Sequence, residues 1–255
     1  AAVRALYWEK DKMYLAGEGL FQFDYEPGRG AFRPATPDPD IWPLTGRPLL
    51  DDAAYLTGFR LTGDESLKQV ALETAERLLA DGDPPGNWGN YTPANKLTGD
   101  IHPRHGYWCG RPMWMVYKEI GDQRFLDCCR RSAQWYVNAM RADGGLFRNT
   151  GPNFNTPSFG HATSGIAGAA VLWAELIREF GDEEWKEPLV RALAFCRSVQ
   201  FTNPEDKNLE GAILEKVLPP GGTDASSWYL RDVGTFFYLQ ALSLVLRDLP
   251  DLLPE

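Results

Sequence analysis

Three Gly-Asp pairs recur at nearly constant spacing in this 255-residue chain: Gly63-Asp64, Gly121-Asp122 and Gly181-Asp182, the glycines 58 and 60 residues apart. Each pair lies between two stretches of helical period. A glycine just past a helix supplies the left-handed cap, and an aspartate after it caps the next helix start. The unit is therefore a helical hairpin with a tight internal break, repeated along the chain. Both roles are structural, which argues against catalytic work for Asp64, Asp122 or Asp182.

The two arms of each hairpin differ. After each break the apolar residues form one stripe: Leu67, Val70, Ala71, Leu78 and Leu79 in the first hairpin. The second has Phe125, Cys129, Ala133, Tyr136, Val137 and Met140, and the third Trp185, Leu189, Ala192, Leu193 and Cys196. Charged residues take the other faces, as on outer amphipathic helices. The arms before the breaks, PLLDDAAYLTGFRL, RPMWMVYKEI and HATSGIAGAAVLWAELIREF, are less amphipathic and read as inner helices. A fourth inner helix fits DVGTFFYLQALSLVL from Asp232, and a leading outer helix ends near Leu15. Long connections, roughly 16–46, 82–110, 142–161 and 201–231, lie at one end of the hairpins, and connections this long usually carry function. Two of them lead into an inner helix through a Gly-Arg-Pro, at Arg47 and at Arg111, with the proline near the first turn.

Hydrophobic residues make up 44% of the chain, enough for a core. A net charge of -9 disfavours nucleic acid, whose phosphates call for a basic face. The longest apolar run, Gly165–Ile177, is too short to span a bilayer and contains Glu175, so a soluble, non-membrane protein is expected. No leader is visible, so localisation is not readable. Four cysteines do not make a disulfide framework.

Hairpins with Gly-Asp breaks and long connections on one rim resemble the α/α-toroid, six-hairpin-glycosidase-like superfamily of carbohydrate-active proteins. That group includes glycoside hydrolases, unsaturated glucuronyl hydrolases, polysaccharide lyases and sugar epimerases. The resemblance implies an all-α toroid, a single domain over residues 1–255, and an oligo- or polysaccharide as partner. The period gives about four hairpins in place of six. The ring is then incomplete, or the chain is a fragment of a longer toroid, or an oligomer partner or missing domain closes it.

In such a toroid the long connections surround one mouth, bringing together the chain's three histidines, His102, His105 and His161. Three chemistries fit that rim. Elimination on a uronate needs a base, an acid and a group that neutralises the carboxylate. His102, His105, His161, Tyr107 and Arg104 are the catalytic candidates, with Asn87, Tyr91, Asn155, Arg111 and Asp232 to bind substrate. Each histidine has the alternative fate of an ordinary hydrogen-bonded loop residue. Glycoside hydrolysis needs two carboxylates, and Asp51, Asp52, Asp100, Asp224 and Asp232 are available, each also explained by helix capping. Trp42, Trp88, Trp108 and Trp228 either stack on sugar rings or plug the toroid as core.

Zinc is the third possibility: His102, His105 and Cys109 form H-x2-H-x3-C, with His161 nearby. YWCGRP and GHATSGIAGAAVL resemble the zinc-bearing lanthionine cyclases, although Phe159-Gly160-His161-Ala162 stands where those enzymes have Cys-His-Gly. The main expectation is a carbohydrate-active enzyme without a cofactor that cleaves glycosidic bonds, leaning to a polysaccharide lyase. A glycoside hydrolase is the alternative, and a non-catalytic glycan- or protein-binding toroid remains open.

Overall fold

The computed structural model describes residues 1–22, 25–32, 46–91, 94, 101–151, 153–154, 161–217 and 228–253, with the side chains of 216, 217, 228 and 229 left undescribed. Trp42, Asp100, Asn155 and Asp224 lie outside the described residues. The backbone of Trp228 is described and its side chain is not. Eight α-helices carry most of the described chain: α1 (Ala2–Lys12), α2 (Ala54–Thr62), α3 (Glu65–Asp81), α4 (Met113–Ile120), α5 (Gln123–Ala139), α6 (Thr163–Phe180), α7 (Lys186–Ser198) and α8 (Asp232–Asp248).

The repeated breaks are where the spacing predicts them. Gly63, Gly121 and Gly181 all take positive φ, at 73°, 76° and 71°, and end α2, α4 and α6. A side chain with a Cβ pays strain in that conformation. Asp64 accepts the Ser66 N–H at 2.8 Å, capping α3. Asp122 accepts the Arg124 N–H at 3.0 Å, the same cap on α5. The third break differs in detail, entering a single 3-10 turn, Glu183–Trp185, before α7 begins.

The chain divides into two compact units. One comprises residues 1–101 and 108–132, the other 102–107 and 133–255. In the first, α2 and α3 form a hairpin against α1, with α4 beside α3. Leu67, Val70, Ala71, Ala75 and Leu78 of α3 are buried, the stripe expected of an outer helix. Each fully buried leucine contributes roughly 1.5–3 kcal/mol. Short strands, which the sequence did not reveal, fill part of the first long connection. β1 (Tyr14–Leu15), β2 (Leu20–Gln22) and β5 (Gly46–Arg47) form an antiparallel sheet with Tyr14 opposite Phe21 and Phe21 opposite Arg47. β3 (Tyr25–Glu26) and β4 (Ala31–Phe32) form a separate hairpin. Strands of two or three residues are too short to show an alternating pattern.

In the second unit α6 is the hub, packed by α7 and α8. It is buried from Thr163 to Ile177, as an inner helix should be. Its small residues admit close neighbours: a Cβ on Gly165 would sit 2.9 Å from the Pro103 ring. Trp173 donates its indole N–H to the Ala133 carbonyl at 3.2 Å. β6 (Leu214–Val217) and β7 (Trp228–Leu230) pair antiparallel in the last long connection, with Leu214 opposite Leu230. No helix among the described residues is long and apolar enough to cross a membrane.

Candidate functional site

The entry to α2, in the first unit, concentrates strain, charge and an aromatic ring. The chain leaves β5 at Arg47, passes Pro48 and turns through a 3-10 segment, Asp51–Ala53. Asp52 (φ 50°) and Ala53 (φ 47°) are consecutive non-glycine residues in the left-handed region. Each such residue costs about 1–3 kcal/mol and persists only where its surroundings enforce it. Beside the turn lies Arg111, which is 4% exposed and pairs its guanidinium Nη1 with Asp52 Oδ1. The Asp52 side chain itself remains 60% exposed. Buried cation and accessible carboxylate are thus held together at the surface.

Asp51 has a different environment. Burial pushes its carboxyl above the ordinary carboxylate range, only partly offset by the positive charge of Arg47 and Arg111. The Arg47 guanidinium lies 5.6 Å from the centre of the Trp108 ring, at cation–π distance. Behind them Cys109 is buried, and burial together with the Asp51 charge raises its thiol well above the usual value. A thiol so raised is neutral and unreactive at neutral pH. Two consecutive carboxyls with divergent surroundings, two arginines and a half-buried tryptophan therefore occupy one patch. Such divergence is what separates an acid from a base.

Asn87, Trp88 and Tyr91 belong to the core of the same unit. All three are at most 1% exposed. Trp88 donates its indole N–H to the Leu78 carbonyl at 2.9 Å, Tyr91 donates its hydroxyl to Asp81, and Asn87 Oδ1 accepts the Trp88 N–H at 2.7 Å. Of the two roles open to the loop tryptophans, Trp88 takes the core-filling one, and Asn87 and Tyr91, expected to bind substrate, are buried with it.

The second unit gathers His102, Arg104, His105 and Tyr107. The two imidazole centres are 5.9 Å apart. His102 Nδ1 accepts the Arg104 N–H at 3.2 Å, while the Arg104 Nη2 lies 3.3 Å from His102 Nε2. Burial lowers the Arg104 pKa, and Glu215 opposes that shift. Tyr107 donates its hydroxyl to Gln240 Oε1 at 2.8 Å and stacks on Phe237. His161 packs edge-on against Phe195. All three histidines and Tyr107 are at most 7% exposed. Among the described residues no group of three or more His, Cys, Asp or Glu side chains is placed to hold a metal ion. Asp232 stands exposed at the first position of α8.

Glu215 is a buried acid that sequence reasoning missed. It lies in β6, is 0% exposed, and accepts both the backbone N–H (2.9 Å) and the hydroxyl of Ser164. It therefore caps α6 from a distant strand. Its one sequence signal is an acid set among Ile213, Leu214 and Val217.

No protein-family profile and no curated protein sequence matches the chain. Solved structures do. An inactive variant of the α-1,6-mannanase of Salegentibacter sp. HEL1_6, two consecutive aspartates replaced and α-1,6-mannotriose bound, matches at TM-score 0.65 and 15% identity over 98% of this chain. The unsaturated glucuronyl hydrolase of Bacillus sp. GL1 matches at TM-score 0.67 and 18% identity, again over 98% of this chain and 68% of that one. A D-mannose isomerase matches at TM-score 0.67 and 13% identity, covering 96% of this chain and 67% of that one. The chain spans 64% of the mannanase's length. It has the α/α-toroid fold shared by these glycosidase-like, carbohydrate-active proteins.

Proposed function

We propose that the chain contributes the carboxylate pair of a glycoside hydrolase, with Asp51 as general acid and Asp52 as general base. The observation that carries this reading is the left-handed turn at Asp52–Ala53, which holds an exposed carboxylate next to one pushed up by burial. Asp51, protonated, donates its proton to the leaving glycosidic oxygen. Asp52, oriented by Arg111, takes a proton from the water that attacks the anomeric carbon. Trp108 offers its ring face to a sugar. Consecutive aspartates are also what the inactive mannanase variant lacks, which favours α-mannosides as first substrates to try.

A second reading, elimination on a uronate, draws on the cluster of Arg104, His102 and His105 beside Glu215 in the other unit. There an imidazole of this pair acts as base and Arg104 neutralises the uronate carboxylate. One assay separates the two: incubation with α-1,6-mannan oligosaccharides and with uronate-containing glycans, reading reducing ends and ultraviolet absorbance together. Hydrolysis releases reducing ends alone, and its loss in Asp51→Asn and Asp52→Asn supports the carboxylate pair. An ultraviolet-absorbing product lost in His102→Ala supports elimination. Silence in both channels, with glycan binding retained, supports a non-catalytic binding toroid.

A further inference from the structure

Trp108 stands on a single π-helical turn, Gly106–Gly110. Such turns are rare and recur at functional sites. Its far end is fixed, because Gly110 is pressed so closely on α5 that a Cβ there would overlap Ser132. The Arg47 guanidinium lies over one face of the Trp108 ring, 5.6 Å from its centre. β5 brings Arg47 there by pairing it opposite the fully buried Phe21, and Pro48 restricts the backbone on its other side. A long cationic side chain is thus held at both ends, by a sheet and by a ring. Asp51 follows on the next turn, and Cys109, the neighbour of Trp108, feels the charges of both Asp51 and Arg47.

The two arginines of this patch divide the two carboxyls between them. Arg111 pairs directly with Asp52. Of the positive charges acting on Asp51, Arg47 outweighs Arg111. The other ionisable groups facing Asp51, among the described residues, are Asp52 on the same turn and the neutral thiol of Cys109, with Cys128 of α5 behind it. Neither the negative charge nor the buried thiols favour a carboxylate at Asp51. We infer that Arg47, held on Trp108, is a positioning residue for the acid: its charge stabilises the carboxylate that Asp51 becomes on giving up its proton. This rests on Asp51 as the general acid of the reaction proposed above. In that reaction the proton passes to the glycosidic oxygen as the C–O bond breaks, and a buried negative charge develops on Asp51. A guanidinium already in place offsets that charge without reorganising. The ring keeps it in place by cation–π attraction, at a lower entropy cost than fixing a freely rotating arginine. Trp108 therefore supports Arg47 on one face, and a sugar on the same ring can use only the other.

Carbon-13 NMR of labelled aspartate carboxyls tests this without a substrate, the Asp51 signal being identified by its absence in Asp51→Asn. Arg47→Gln should raise the Asp51 titration midpoint by on the order of one pH unit, and Arg47→Lys, which keeps the charge, should return most of that shift. Trp108→Ala should move the midpoint in the same direction as Arg47→Gln, and Trp108→Phe less. Circular dichroism should show the same helix content in all four. Hydrolysis of α-1,6-mannan oligosaccharides gives the second readout. A general acid works while protonated, so the alkaline limb of kcat/KM should move to higher pH in Arg47→Gln. Its kcat at the optimum should fall about tenfold, because the acid is weaker. A midpoint unmoved in Arg47→Gln, or moved as far in Arg47→Lys, overturns the inference and leaves Asp51 its role. A Trp108→Ala variant that raises KM alone, with the midpoint unmoved, overturns the part given to the ring. An Asp51→Asn variant as active as wild type removes the acid itself, and the inference with it.

Discussion

The entries to α2 and α6 solve the same problem in opposite ways. Neither helix has a side-chain cap from its own first residue. At α6 the deficit is met by Glu215, brought from β6, which accepts from Ser164 through both backbone and hydroxyl and is shut away from water. At α2 the chain enters through two left-handed residues, with Asp52 exposed and Asp51 pushed up. The first arrangement spends its polar groups on stability. The second leaves a carboxylate available and stores strain, the pattern expected where chemistry outranks stability.

The sharpest way to break this contrast is to remove each acid. Asp51→Asn and Asp52→Asn should each lower glycan hydrolysis by about 100-fold or more while circular dichroism shows helix content unchanged. A large stability loss with activity retained would assign the strain to folding instead. Glu215→Ala should do the reverse in the second unit, costing about 2–4 kcal/mol in equilibrium unfolding because the α6 N–H loses its acceptor and Arg104 its counter-charge. A change below about 0.5 kcal/mol would remove Glu215 from its capping role.

Acid titration sharpens the comparison further. The folded-state value for Asp51 lies above its ordinary value of 3.8, so the folded state holds that proton more tightly than the unfolded chain. Stability from this group is complete below the unfolded value and is lost as pH rises toward the raised one. Asp51→Asn abolishes that loss, so its stability relative to wild type should grow as pH rises above the ordinary value of 3.8. Equal pH profiles for the two proteins would contradict the raised value. The smallest effect is expected at Ala53, where glycine adopts the left-handed turn freely. Ala53→Gly should stabilise by about 1 kcal/mol, net of glycine's chain entropy, and loosen the Asp52–Arg111 pair. Destabilisation would show that the turn carries little strain.

The hairpin breaks were legible because their physics is local. Glycine at a helix end and aspartate two residues before a bonded N–H are a short-range pattern, and Gly63-Asp64 and Gly121-Asp122 use it as written. The buried hub role of α6 was equally legible in its run of small and apolar residues. The candidate site was legible only in its residue types. Asp51 and Asp52 look like any acids near a helix start, since backbone sign cannot be read from side chains. The pairing of Arg111 with Asp52 joins residues 59 positions apart, and no local rule announces it. Trp88 and Tyr91 failed to separate in the same way, because an aromatic residue in a polar loop serves equally as a platform or as a core plug until burial decides.

The sequence by itself determined the helices, their breaks, the inner and outer arms, and the toroid class to which they belong. Those follow from periodicity and caps, interactions that act within a few residues. Tertiary structure alone decided which carboxylate is exposed, that Arg111 pairs with Asp52, and that an acid from β6 caps α6. Each of these depends on what a residue meets across tens of positions in sequence, where desolvation and charge, not local propensity, set the outcome.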